Sequence, residues 1–235
     1  MNIRFKSLVW LTAAFVCTMP LVSCGDDDES VPAKVKASAS GTFTDERDGQ
    51  VYNWVRYGNL EWMAQNFAYT DNSTDVTIYL DYFDHEGNPS STKSLAKYGR
   101  LYSFGAAVRL CPEGWRLPTD ADWQNLEQLM GMSAADAGKR EWRGNIMHSM
   151  VSVYDDPCDL NLLLGGYYTT HTIMGTSGWR FMGNYGFYWT SSRDEEKSGE
   201  YYFYRKFLYN RNEVYRESME MEGQKLSVRY VRDAR

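Results

Sequence analysis

The sequence predicts an α+β fold, with two short helices early and small antiparallel sheets of short strands after them. Three observations carry this expectation. Trp123, Leu126 and Met130 recur at intervals of three and four residues behind Thr119, which places them on one face of a capped helix. From Asp159 onward, short aromatic and β-branched stretches are separated by Gly165, Gly166, Gly175, Gly178, Gly183 and Gly186, the punctuation of small strands and turns. Helical signals come first and strand signals last, an order that fits an α+β domain.

The chain opens with a leader. Arg4 and Lys6 form a basic start, Leu8 to Val16 form an apolar run interrupted only by Thr12, and Pro20 breaks any helix. The run is shorter than the roughly 20 residues that span a bilayer as a helix. Residues 1–23 therefore read as a cleaved signal peptide. Leu21-Val22-Ser23-Cys24 resembles a lipobox in which Cys24 carries the lipid, with ordinary cleavage near Ser23 as the alternative. Gly25-Asp26-Asp27-Asp28-Glu29 resembles the acidic tag that sends some lipoproteins to the cell surface, although such a run is also simply well solvated. Residues 30–41 have no apolar period and read as spacer. Residues 24–41 are thus expected to be a lipidated acidic tether, and residues 42–235 the folded domain. The expected location is the outer membrane, facing the cell surface, with membrane contact through the N-terminal lipid.

Within the domain, Thr42 to Asp45 and Gln50 to Tyr57 read as strands joined by a tight turn at Asp48-Gly49, a β-hairpin. Glu61 to Asn66 reads as a strand entering the core. Residues 72–97 are polar, and Gly87-Asn88-Pro89-Ser90-Ser91 marks a loop. Tyr98 to Val108 reads as a strand leading into a short helix. The twice-proline segment from Cys111 to Pro118 then leads to Thr119, which caps a helix running to about Met130 and stopped by Gly131. A second helix is expected near Ala134 to Trp142. The last strand, Leu226 to Arg232, alternates, so Val228 and Tyr230 share one face and Arg229 takes the other.

Composition bounds the function. Apolar residues make up 43% of the chain and aromatics 15%, enough for a packed core. Tyrosine and tryptophan, 18 and 8 residues against 10 phenylalanines, suit half-exposed strands and binding faces. The net charge is -6, and loss of Arg4 and Lys6 with a leader makes it more negative. No basic run is dense enough to neutralise phosphates, which excludes nucleic acid as a partner.

Of the four cysteines, Cys17 leaves with the leader and Cys24 takes the lipid. Cys111 and Cys158 remain, and in an oxidising compartment they are expected to pair, contributing about 4 kcal/mol in the chain-entropy model. Two buried free thiols are the other reading. His85, His148 and His171 have no HxH or HExxH spacing, and no GxSxG is present, so neither a metal ligand set nor a catalytic residue can be read. No cofactor is implied. Asp81, Asp84 and Glu86 could hold calcium in their loop, but the spacing is not that of an EF-hand and the loop reads as solvated.

A binding face is the remaining candidate. Tyr204, Arg205, Tyr209, Arg211 and Tyr215 crowd together with Tyr201 and Tyr202, and tyrosine and arginine are frequent hot-spot residues. Packing as ordinary strand aromatics is the alternative for any one of them. Alternation around Val214 turns Tyr215 outward, while Leu208 leaves the preceding register open.

Several motifs form an ordered set: Asp48-Gly49, Val51-Tyr52, Trp62-Met63-Ala64-Gln65-Asn66, Tyr98-Gly99-Arg100-Leu101-Tyr102, Cys111-Pro112-Glu113-Gly114-Trp115-Arg116-Leu117-Pro118-Thr119-Asp120, Trp123, Gly165-Gly166-Tyr167, Gly183-Asn184-Tyr185-Gly186, Trp189-Thr190-Ser191-Ser192 and Ser227-Val228-Arg229. From about Thr42 to Asp233 the chain resembles the Fibrobacter succinogenes major paralogous (FISUMP) domain. The resemblance implies a lipoprotein or secreted surface protein with a C-type-lectin-like fold. Oxidase relatives of that fold use paired cysteines, and its calcium-dependent lectins use Glu-Pro-Asn or Gln-Pro-Asp loops with Trp-Asn-Asp; this chain has neither. Many family members carry a cysteine where Tyr230 stands here, able to pair with the one matching Cys111, and in this chain Cys158 takes over as the candidate partner. The resulting expectation is a non-catalytic adhesion or capture module for a glycan or protein. A structural accessory subunit of an envelope assembly is the alternative.

Overall fold

In the computed structural model, which describes residues 35–79, 82–83, 89–90, 92–152, 158–173 and 176–235, the Asp48-Gly49 turn joins β1 (Ala39–Thr44) to β2 (Val51–Tyr57). The strands are antiparallel, and Gly49 has φ 74°, the left-handed conformation that a side chain resists. Pairing continues back to Ala39 opposite Arg56, while Val35 and Ala37 pack on the core. The first strand thus begins before Thr42, within the stretch read as spacer. Cys24 and the remainder of the tether lie outside the described residues, as do His85, Asp81, Asp84 and Glu86.

Strand β3 (Leu60–Met63) continues the first sheet, and the last strand closes it in the order β1-β2-β3-β15, with Val231 opposite Trp62. The polar stretch 72–97 contains β4 (Val76–Thr77), β5 (Tyr82–Phe83), β6 (Pro89–Ser90) and most of helix α1 (Thr92–Tyr98). Strand β6 falls within the run expected to be loop, and the sequence assigned no element to the others. A helix of seven residues, Thr-Lys-Ser-Leu-Ala-Lys-Tyr, offers too little apolar period to be recognised. Strand β7 (Leu101–Tyr102) and helix α2 (Phe104–Arg109) follow as the sequence predicts.

Helix α3 (Asp120–Leu129) starts at a capping box: Asp122 N–H donates to the Thr119 hydroxyl, and Thr119 N–H donates to the Asp122 carboxylate. Trp123 and Leu126 lie on its buried face. Helix α4 (Ala134–Ala137) is a single turn ended by Gly138. Trp142 belongs instead to strand β8 (Glu141–Arg143), because pairing with the sheet overrides a weak helical pattern.

The later half holds β9 (Tyr167–Ile173), β10 (Thr176–Arg180), β11 (Tyr185–Arg193), β12 (Tyr201–Leu208), β13 (Val214–Glu220), β14 (Gln224–Lys225) and β15 (Val231–Asp233). They form a three-stranded sheet, β10-β9-β14, and a four-stranded sheet, β11-β12-β13-β8, both antiparallel. The α+β architecture of short helices and small antiparallel sheets therefore stands.

Two buried clusters form the core. Trp123, Leu126, Met147, Leu162, Tyr188, Phe207 and Val214 belong to one; Tyr102, Trp115, Phe187, Trp189, Tyr204, Val228 and Tyr230 belong to the other. Strand alternation divides them, since Phe187 and Trp189 point to one cluster and Tyr188 between them to the other. The same division separates the thiols. Cys158 is buried in the first cluster and Cys111 packs against the second, and both are free. The expected Cys111–Cys158 bridge is thus absent from the fold.

The regular part of the last strand is shorter than expected. Leu226 and Ser227 make single bridges to Tyr102 and Tyr188, and only Val231–Asp233 is continuous ladder. Val228 and Tyr230 do share the second cluster. Arg229 turns the other way but into the interior, where it donates to Asn66 Oδ1 and to the carbonyls of Met63, Leu160 and Asn161.

Candidate functional site

The four-stranded sheet has two unlike faces. Opposite residues in the ladder place Phe203, Arg205, Phe207, Val214, Arg216 and Ser218 on one of them. Helix α3 covers it. Arg205 is 0% exposed and donates to both Glu127 and Asp120, at 2.6 and 2.7 Å. Arg216 binds Asp120 at 2.6 Å, and Arg143 binds Glu127 at 2.6 Å. Three guanidinium groups thus share two carboxylates inside the fold. Burial raises the Asp120 carboxyl, but the hydrogen bond from Arg216 and the charge of Arg205 outweigh it and hold the group down at about 2. Arg205, expected on the binding face, is therefore a structural residue. Its neighbours in sequence gave no sign of this, because one step along a strand reverses the face.

The other face carries the rest of the candidate set. The register aligns Phe187, Lys206, Tyr215 and Trp142 across four strands, with Trp189, Tyr204 and Glu217 in the next row. Tyr204 is 8% exposed and stacks on Phe187 at 6.1 Å, while Tyr215 is half-buried and meets Trp142 edge-on at 5.0 Å. Tyr209, 50% exposed, lies just beyond β12. Arg211 lies 4.5 Å over the Trp142 ring and pairs with Glu213 at 3.3 Å. Four of the five candidates thus belong to this face or its rim, and Tyr215 points outward as its alternation implied.

Beside this row lies a groove of about 330 Å³ lined by Tyr167, Phe181, Tyr185, Phe187, Tyr204, Lys206, Met219 and Gln224. Its size is at the lower end of small-molecule pockets, roughly 300–1,000 Å³. Phe181 stands at its lip, 46% exposed, with its ring 5.0 Å from that of Tyr185. Its φ is 62°, a conformation that side-chain-bearing residues avoid. The turn is held by Tyr185 and Asn184 N–H donating to the Phe181 carbonyl and by close docking against Gly166, where an added Cβ would meet the Arg180 carbonyl oxygen at 2.2 Å.

Lys206 was not among the sequence candidates. Its ammonium lies 3.6 Å over the Tyr215 ring and 5.0 Å from that of Trp142, and no carboxylate pairs with it among the described residues. Burial and the nearby charge of Arg211 lower its pKa. Lys206 could have been found only by aligning it with Tyr202, Tyr204 and Leu208 at period two, which the uncertain register prevented. Phe181, Phe187 and Trp142 come from distant parts of the chain and carry no local signal.

The Thr190-Ser191-Ser192 run is structural. Thr190 donates to the Phe203 carbonyl, and Ser192 Oγ accepts from Asp120 N–H at the start of α3. Among the described residues, no three His, Cys, Asp or Glu side chains converge as metal ligands. No described helix is long and apolar enough to cross a membrane.

No curated protein and no solved structure matches the chain. Residues 55–232 match the model of the Fibrobacter succinogenes major domain, and this span holds the four-stranded sheet, α3 and the aromatic groove. It covers well over half of the sequence, so the chain belongs to the Fibrobacter succinogenes major domain family.

Proposed function

We propose that this protein is a surface-exposed bacterial lipoprotein, anchored through Cys24, whose C-type-lectin-like domain is a non-catalytic binding module for a glycan or protein. The observation that carries the binding role is the open aromatic face of the four-stranded sheet. Phe181, Tyr185, Lys206 and Tyr215 remain exposed or half-buried there, over the buried rings of Phe187 and Tyr204. Phe181 supports it most directly, being a large apolar side chain held in a strained conformation and still left 46% exposed. The reading draws on the leader, the lipobox-like Cys24 and the family resemblance for its location and fold type.

The test is a binding screen of the full chain, purified in detergent, against glycans and envelope extracts, with a Phe181→Ala, Tyr215→Ala double variant alongside. A ligand bound by the parent and lost by the folded variant supports the reading. An envelope protein that co-purifies stoichiometrically, with no free ligand found, would instead make the chain an accessory subunit. Binding that survives the double variant unchanged would remove this face from consideration.

A further inference from the structure

Resting on the binding role above, we propose that the groove beside Lys206 recognises a carboxylate-bearing sugar, such as a hexuronate residue of an acidic polysaccharide. The groove combines two features that seldom coincide in a core. One wall is a set of rings: Phe187 lies 4.6 Å from Tyr167 and 5.9 Å from Tyr185, and Phe181 lies 5.0 Å from Tyr185. Of these, the exposed Phe181 and half-buried Tyr185 offer apolar surface to the C–H face of a saccharide, backed by the buried Tyr167 and Phe187. The other feature is Lys206, a lining residue whose ammonium lies over the neighbouring Tyr215 ring and has no carboxylate partner among the described residues.

Charge complementarity decides the ligand class. Although the chain is acidic overall, at -6, three other cations that flank this sheet are already paired with carboxylates. Arg140 pairs with Asp194, Glu196 and Glu217, Lys197 with Glu217, and Arg211 with Glu213. Among the described residues Lys206 is held by the Tyr215 and Trp142 rings and by no carboxylate, so an arriving anion meets a cation that need not leave one of them.

Geometry disfavours a peptide. An extended peptide is usually captured along a free strand edge. The groove lies on a face, and the strand beneath it, β12, pairs with β11 on one side and β13 on the other, so its main chain is committed. Recognition falls to side-chain rings and one ammonium.

The experiment is calorimetric titration of the full chain with oligogalacturonate and with the matching neutral galacto-oligosaccharide, repeated for Lys206→Met, Lys206→Arg and Phe181→Ala. The acidic oligomer should bind at least tenfold more tightly than the neutral one at low salt, with the difference shrinking as salt rises. Lys206→Met should abolish the preference, Lys206→Arg should retain most of it, and Phe181→Ala should weaken both oligomers. Thermal unfolding of each variant separates loss of binding from loss of fold. Equal affinity for the two oligomers, or a preference unchanged in folded Lys206→Met, would overturn the carboxylate assignment while leaving the binding face intact. Binding of neither oligomer overturns it as well, and the broader face fails only if the glycan and extract screen is also insensitive to Phe181 and Tyr215.

Discussion

At the scale of single residues, burial divides two cations that are neighbours in the chain. Arg205 is enclosed with Asp120 and Glu127, whereas Lys206 stands half-exposed over Tyr215 and Trp142. Removing one partner from a buried ionic set leaves a charge without compensation, at a cost of about 3–5 kcal/mol. Glu127→Gln should therefore destabilise the fold by that amount in urea unfolding, because it removes the carboxylate of Arg143 and leaves Asp120 to Arg205 and Arg216. Lys206→Met should cost less, about 0.5–1 kcal/mol, since it breaks no ion pair among the described residues and loses only the contacts with the Tyr215 and Trp142 rings. Equal losses from the two would contradict the division of faces. The thiols provide a second residue-level check. Burial pushes the Cys111 thiol up to about 12 and raises that of Cys158. Both should be recovered as free thiols by intact mass after alkylation in denaturant without reductant, and both should react slowly in the native state. Tyr230 explains how the fold manages without the bridge near Cys111. It is fully buried in the cluster against which Cys111 packs, and its hydroxyl donates to the Ala107 carbonyl.

At the scale of elements, legibility followed length and capping. The hairpin turn at Asp48-Gly49 and helix α3 were readable because their signals are local: a glycine needing positive φ, and a Thr119 cap with apolar residues at helical spacing. Strand β8 and helix α1, three and seven residues long, were not, since their existence depends on partners far along the chain. The candidate face was half legible for the same reason. Tyr215 sits in a strand whose alternation around Val214 can be seen, whereas Leu208 obscures the register of Tyr204, and which side is covered depends on α3, which no pattern within β12 reports. Two substitutions test the elements. Thr119→Ala removes one half of the capping box and should cost about 1 kcal/mol, with unfolding still cooperative. Gly166→Ala should cost more than this, since φ is +67° and the new Cβ would meet the Arg180 carbonyl oxygen at 2.2 Å. It should also shift Phe181 and lower any affinity that depends on the groove, measured by titration of the folded variant.

At the scale of the whole molecule, charge is distributed so that acid should be the effective denaturant. Several carboxylates are held ionised by arginines across elements distant in sequence: Glu61 by Arg56 and Arg232, Asp194 by Arg140, and Asp120 by Arg205 and Arg216. The Arg140 hydrogen bond leads the causes that hold Asp194 near 2, and Asp120 lies near 2 despite the opposing effect of burial. A carboxylate whose pKa is lower when folded binds protons more readily when unfolded, so its contribution is complete above the unfolded value of about 3.9 and disappears as pH falls through the folded one. Stability from these groups should thus be level through neutral pH, begin to fall below about pH 5, and decline most steeply between about pH 4 and pH 2. Protonating Asp120 would in addition leave Arg205 and Arg216 facing Glu127 as the remaining carboxylate of the buried set. Urea midpoints measured at constant ionic strength should follow this curve, and Asp120→Asn should flatten it while lowering its plateau. A midpoint at pH 3 equal to that at pH 7 would mean that these ion pairs place the strands without governing their stability.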